Sequence, residues 1–268
     1  MKRRPVLAAL LGGILLLGAC SAPSRSKSPE DLSGTTLKVA FDVDGPPFAY
    51  VKGGSTPQGF DVDVIEEVAR RTGFTVEKTA LPFDGILPAL QAGQVQIAAA
   101  AISITEERAK SVRFSTPYFQ TGLTLAVKPS TTGIEKMEDA QGKKLAVRTG
   151  ASSSLYVESL DYADKITLHR YNSTNDVLQA VISGVDDVLV NDRSILDHYV
   201  AQRGKGQITV VGPLLTKDNY GYAVPRNRPD IQEALDSAIR AMAEDGTYTK
   251  IYEKYFGKTP DVLPGNIR

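Results

Sequence analysis

The stretch "AAAAISITEERAKSVRFSTPYF", Ala98 to Phe119, decides how this chain is read. Buried-looking "VQIAAA" ends in a run of alanines and gives way to Thr105–Glu106–Glu107, a helix start. Threonine can cap free N–H groups, and acids in a first turn suit the positive end of the helix dipole. Arg108 stands in that same turn, where a cation is disfavoured by a few tenths to ~1 kcal/mol. Small side chains leave room above it. An arginine beside unpaired N–H groups is explained simply if something negative binds there. Taken alone, Arg108 reads equally well as a solvated helix residue.

Outward from this stretch, short strands alternate with amphipathic helices. Upstream, "LKVAF" is a strand ending at Asp42, and "DGPPFAY" breaks it with glycine and two prolines. "GFDVDVIEEVARRTGF" is a helix with Asp61 as cap, Val64, Ile65, Val68 and Ala69 as apolar face, and Gly73 as stop. "FTVEKTA" is a strand. "FDGILPALQAGQ" is a short helix capped by Asp84 and stopped near Gly93. Downstream, "LTLAVK" is a strand, and the same βα order restarts with "KKLAVRTG", "ASSSLYVESL", "ITLHRY", "TNDVLQAVISG", "DDVLVN", "SILDHYVAQRG" and "ITVVG". The strand "GYAV" and the helices "RPDIQEALDSAIRAMAEDG" and "TYTKIYEKYFG" close the chain. Two βα runs point to two α/β lobes with crossover connections, divided near "STPYFQTG" and "PLLTKDNYG". Periodicity does not say to which lobe the last helices return.

Composition removes several function classes. The 268 residues carry 31 Lys+Arg and 31 Asp+Glu, a formal net charge of zero, which argues against a nucleic-acid binder. With His169, His198 and Cys20 as the whole His and Cys complement, a zinc site and an internal disulfide are not expected. No metal or cofactor is expected.

The N-terminus carries a targeting signal. Lys2, Arg3 and Arg4 precede the apolar stretch "PVLAALLGGILLLGA", residues 5 to 19, shorter than the ~20 residues of a spanning helix. Residues 1–19 therefore read as a signal peptide. "LGAC" resembles a bacterial lipobox, which implies a lipoprotein acylated at Cys20; the alternative is a chance cysteine near an ordinary cleavage site. Residues 20–35, "CSAPSRSKSPEDLSGT", are rich in Ser, Pro and charge and read as a flexible tether. The folded part is expected outside the cytoplasmic membrane, anchored by lipid.

"DGPPFAY", "GFDVDVIEEVA", "FDGILPALQAGQVQIA", "ISITEERAKSVRFSTPYF" and "EDGTYTKIYEKYFG" follow one another in an order that resembles the family 3 solute-binding proteins of bacterial ABC importers. The resemblance spans roughly Leu37 to Gly257. It implies an α/β, two-lobed periplasmic-binding-protein type II fold with two hinge crossings and an interlobe cleft. Lobe 1 would comprise 36–117 and 221–268, lobe 2 123–215, with hinges at 118–122 and 216–220. It implies a monomer that binds a polar amino acid, closes by hinge bending, and hands its cargo to an ABC permease and, indirectly, its ATPase subunits.

The same resemblance assigns the site. A zwitterionic ligand needs cationic or N–H donors for its carboxylate and acceptors for its ammonium. Arg108 would hold the carboxylate through a planar fork, with the N–H groups of Ser103 and, from the other lobe, Ser152; Ser152 is otherwise a helix cap. Asp192, at the carboxyl end of a strand where α/β sheets bind ligands, would meet the ammonium with the Ser103 hydroxyl and the Ala101 carbonyl; its alternative role is an N-cap. Phe83 would pack on the ligand's aliphatic part, or serve as ordinary core. Asp42 and Arg148 would read the ligand side chain, and an acceptor beside a cation suits an amide, which favours glutamine or glutamate. Gly45 stands where many members carry an aromatic, and Asn191 where a glutamine-binding member has histidine.

Fold alone does not settle function. Cyclohexadienyl dehydratases and some lytic transglycosylases share this fold. A transglycosylase needs an additional catalytic domain, which the reading does not find before Arg268, and a dehydratase cleft should favour two carboxylates, against an aspartate set for an ammonium. A sensor module is the other alternative. The expectation is a binding protein and not an enzyme.

Overall fold

The apolar run "LKVAF" becomes a strand because three consecutive residues, Val39, Ala40 and Phe41, are fully buried in a parallel sheet covered on both faces. The computed structural model describes residues 31–267. The expected signal peptide, Cys20 and the tether as far as residue 30 lie outside the described residues. No helix among the described residues is long and apolar enough to cross a membrane.

The chain begins with β1 (Thr36–Phe41), the small hairpin β2 (Asp44–Gly45) and β3 (Ala49–Tyr50), then α1 (Phe60–Thr72), β4 (Thr75–Ala80), α2 (Phe83–Gln91), β5 (Ile97–Ala99), the single turn α3 (Glu106–Ala109) and β6 (Val112–Phe114). It crosses through β7 (Phe119–Thr121) to β8 (Leu123–Val127), β9 (Lys144–Arg148), α4 (Ser152–Glu158), β10 (Thr167–Tyr171), α5 (Thr174–Ser183), β11 (Val188–Asp192), α6 (Arg193–Tyr199) and β12 (Thr209–Val211). It returns through β13 (Asp218–Tyr220) to β14 (Ala223–Pro225), α7 (Pro229–Glu244) and α8 (Thr247–Phe256).

Two five-stranded sheets result, one per lobe, ordered β4-β1-β5-β14-β6 and β10-β9-β11-β8-β12. Each has three parallel strands and then an antiparallel partner: β14 beside β5 and β6, β8 beside β11 and β12. The C-terminal helices return to the first lobe, where Ile231, Leu235, Met242 and Tyr248 join Phe60, Ile65 and Phe41 in one core. The second lobe has its own core around Leu125, Val147, Val188 and Val190.

The crossings β7 and β13 pair antiparallel, with Phe119 opposite Tyr220. Both rings sink into the aromatic base of the first lobe, 4.9 and 5.3 Å from the Phe48 ring. Just beyond, Gly122 passes the returning chain so closely that an added Cβ would lie 2.2 Å from the Thr216 carbonyl oxygen.

Two expected caps differ. Gly59, not Asp61, stands at the N-cap of α1, and Asp61 is fully buried inside the first turn. Pro82, not Asp84, precedes α2, whose first turn contains Asp84 without a side-chain capping bond. In both, a backbone already fixed by proline or by glycine's freedom sets the entry without a side-chain cap. The helix expected through residue 204 ends at Tyr199 and continues as a π turn, Val200–Gly204.

Candidate functional site

Thr105 caps α3, its hydroxyl accepting the Arg108 N–H at 3.2 Å. That cap turns the Arg108 side chain inward, where it is buried instead of solvated. Its guanidinium donates to the Ser103 carbonyl at 2.9 Å and, across the cleft, to the Gly150 carbonyl at 3.0 Å. Burial lowers its pKa, and Asp192 nearby opposes that shift. Of the five donors a guanidinium carries, these bonds occupy two.

The interlobe cleft, with an open volume of about 440 Å³ that includes space reached by solvent, brings together Asp42, Phe83, Ala101, Ser103, Arg148, Ser152 and Asp192. Arg108 is not on its wall but is bonded to one wall residue, Ser103, and to Gly150 beside another, Ala151. Gly45 and Asn191 also line it. So do Phe48 and Thr174, which carry no local signal of a site; Phe48 stands in the "DGPPFAY" break and Thr174 at the start of a helix.

Asp192 ends β11, where the strand delivers it to the cleft. It occupies the N-cap position of α6 but makes no side-chain capping bond. Its Oδ1 is buried with no hydrogen-bond partner, as is the hydroxyl of neighbouring Tyr220. Burial pushes its carboxyl up to about 7, against the lowering effects of Tyr220 and Arg108. An ionised oxygen without a partner is costly in a low-dielectric site, which agrees with the upward shift. The adjacent Asn191 accepts the Asp192 N–H at 2.8 Å, and its Nδ2 is buried without a partner.

Ala101 turns in the left-handed region, φ 48°, between β5 and the segment that pairs with the returning crossing. Its N–H is held at 2.9 Å by Asp61, a residue sequence reasoning placed at a helix end. Ser103 donates to the Ser152 hydroxyl at 3.3 Å, joining the two lobes.

At the other end of the cleft Arg148, from β9, forms a two-bond ion pair with Asp42, from the end of β1. Asp44 lies 3.7 Å from the same guanidinium and accepts the Thr174 N–H at the start of α5. The guanidinium carbons of Arg148 and Arg108 lie 5.2 and 5.7 Å from the Phe83 ring centroid, cation–π distances. Phe83 therefore gathers both arginines and forms a wall of the cleft. Gly45 leaves that end open: a Cβ there would meet only Asp42 Oδ2, at 3.7 Å.

Two α/β lobes, two paired crossings and a cleft whose charged groups come from both lobes define a two-lobed binding protein of the type II fold. The chain belongs to the bacterial extracellular solute-binding proteins, family 3, whose family model matches residues 37–258. It is 29% identical to a probable histidine-binding protein of Neisseria gonorrhoeae, over 94% of this chain and 95% of that one. It is 27% identical to a putative ABC transporter arginine-binding protein of Escherichia coli (strain K12), over 83% of this chain and 91% of that one. Among solved structures it is 35% identical to an ancestral arginine-binding protein, seen bound to arginine (TM-score 0.79) and to glutamine (TM-score 0.78), covering 83% of this chain and 98% of that one. It is also 32% identical, TM-score 0.75, to an ancestral amino-acid-binding protein described as a precursor of cyclohexadienyl dehydratase, covering 82% and 95%.

Proposed function

We propose that this chain captures a polar L-amino acid in its interlobe cleft and delivers it to the permease of an ABC importer. The observation that carries this reading is Asp192, a buried carboxyl whose Oδ1 has no partner. An α-ammonium supplies the missing charge and donor. The three donors left on Arg108, with the N–H groups of Ser103 and Ser152, take the α-carboxylate, and the Ala101 carbonyl and Ser103 hydroxyl complete the ammonium's acceptors. Charge-assisted bonds contribute roughly 1.5–3 kcal/mol each. A handful of them, less the cost of closure, corresponds to affinity on the order of micromolar.

Asp42 and Arg148 read the side chain. A neutral amide can enter their pair by donating to the carboxylate and accepting from the guanidinium, so glutamine is favoured. Glutamate would face both Asp42 and Asp44. A second reading, a basic side chain, is favoured by those two acids standing against one cation, and by relatives named for histidine and arginine. The dehydratase reading is set aside because it asks Asp192 to face an anionic ring substrate. Cys20 is the lipid attachment point, and the tether lets the lobes reach the permease. Closure turns on residues 118–122 and 216–220; because Phe119 and Tyr220 are packed in the first lobe, rotation falls on the Gly122 and Thr216 side.

The test is thermal unfolding of a soluble form beginning at Asp31, which keeps the buried Leu32, with and without each L-amino acid. A ligand at 100 times its dissociation constant adds about 2.7 kcal/mol, a rise of roughly 5–10 °C at this size. A shift with glutamine supports the amide reading. A shift only with arginine, lysine or histidine keeps the binding function and transfers specificity to the acids. No shift with any amino acid, in protein freed of carried-over ligand, rejects the zwitterion site.

A further inference from the structure

Asp61 is fully buried on the first turn of α1, far from where a carboxylate is easily kept. It accepts the Ala101 N–H at 2.9 Å. The Tyr222 hydroxyl reaches its other oxygen at 3.5 Å, and the Tyr118 hydroxyl, buried without a hydrogen-bond partner, lies beside the same carboxyl. These tyrosines mark the two crossings. Tyr118 immediately precedes β7, and Tyr222 follows β13 with only Gly221 between. Their rings stack with centroids 4.1 Å apart and 3° between planes, and the Tyr118 N–H donates to the Tyr220 carbonyl at 3.0 Å. One carboxyl thus contacts the cleft-lining turn and the first-lobe ends of both crossings.

The turn it holds is an unfavourable one. A left-handed conformation is disfavoured for any residue with a Cβ, and Ala101 adopts it at φ 48°. That turn ends the β5 ladder and sets the direction of Ile102–Ile104, whose Ile104 N–H pairs with the Asn219 carbonyl of the returning crossing. Ala101 and Ser103, either side of Ile102, both face the cleft.

We infer that Asp61 is a positioning residue for ligand binding: by holding the Ala101 N–H it keeps Ala101 left-handed, so that the Ala101 carbonyl and Ser103 meet the ligand's ammonium. The inference rests on the reading that an α-amino acid occupies the cleft. Burial raises the Asp61 carboxyl to about 6, partly opposed by the Ala101 N–H, as expected of a group kept in place for its acceptor oxygens.

The experiment combines variants with a measurement on the unaltered protein. Titration calorimetry with glutamine, or with whichever amino acid raises the melting temperature, is done on the protein and its D61A, D61N, A101G and D61A/A101G forms. D61A is expected to lose roughly 10–100-fold in affinity, the equivalent of one charge-assisted bond. D61N should lose less, because its amide oxygen can still accept the Ala101 N–H. A101G should recover part of the D61A loss, since glycine takes the left-handed conformation without help. Equal losses in D61A and D61N would show that the acceptor oxygen is not what matters, and a D61A loss that A101G leaves untouched is what a cavity alone produces; either would overturn the inference. If D61A does not fold, NMR of the unaltered protein decides. The Ala101 amide proton, donated to a buried carboxylate at 2.9 Å, should resist hydrogen exchange, and an amide that exchanges as fast as an exposed loop N–H would overturn the contact. Absence of amino-acid binding by the unaltered protein would reject the proposed function instead, while the amide exchange remains readable.

Discussion

Arg148 and Asp42, 106 residues apart in sequence, meet across the cleft as a buried two-bond ion pair, with Nη2 to Oδ1 at 2.9 Å. One partner belongs to each lobe, so the pair exists only when the lobes are together. Desolvating two charges is costly, and their mutual attraction roughly repays it only with good geometry. Removing one partner leaves the other uncompensated.

R148M should therefore disfavour the closed arrangement by about 3–5 kcal/mol, and opening returns Asp42 to water. Small-angle scattering is expected to show a larger radius of gyration for R148M without ligand, and the double variant D42N/R148M should regain much of the compact form. Unchanged scattering by R148M would mean that the pair does not hold the lobes.

Affinity should depend on pH through Asp192. In the ligand-free protein burial raises its carboxyl to about 7, from 3.8. An ammonium ligand binds the ionised form, so its affinity should be nearly constant above pH 7 and fall by up to tenfold per pH unit below it. Stability without ligand runs the opposite way: the folded state holds a proton that the unfolded chain gives up, so this contribution is complete below about 3.8 and lost as pH rises through 7. Calorimetry from pH 5 to 8 checks both, and D192N should remove the pH dependence together with most of the affinity.

R108K tests the carboxylate fork. Lysine keeps the charge but cannot hold both the Ser103 and Gly150 carbonyls and still present a planar pair of donors. An affinity loss of roughly 10–100-fold is expected, close to that of a charge-assisted bond. A loss within twofold would show that charge alone suffices.

G122A should injure the crossing and not the cleft. A methyl group 2.2 Å from the Thr216 oxygen must push the two connecting chains apart, at a cost of about 1–3 kcal/mol. The expected fall in melting temperature is about 2–4 °C per kcal/mol at this size, read by thermal unfolding without ligand.

The alternation of strands and helices could be read directly, because periodicity is a local property. The Thr105 cap, the acids after it and the misplaced cation at Arg108 lie within four residues, and the anion-binding idea followed from them. Asp42, Phe83, Arg148 and Asp192 are legible only through motif resemblance, and their spacing alone says nothing of a shared cleft. Asp61 shows the limit of local reading. An acid at a helix start looks like a cap, yet Gly59 already supplies the entry and the carboxyl turns to Ala101.

The sequence by itself determined the order of elements, the polarity of each helix and the kinds of charged group available to a ligand. The tertiary structure decided what those charges face. It brought α7 and α8 back to the first lobe, set Arg148 against Asp42 and left the Asp192 Oδ1 without a hydrogen-bond partner. The physical reason is range: helix and strand patterns follow from neighbours a few residues apart, whereas burial and ion pairing arise between lobes that the chain joins by only two short crossings.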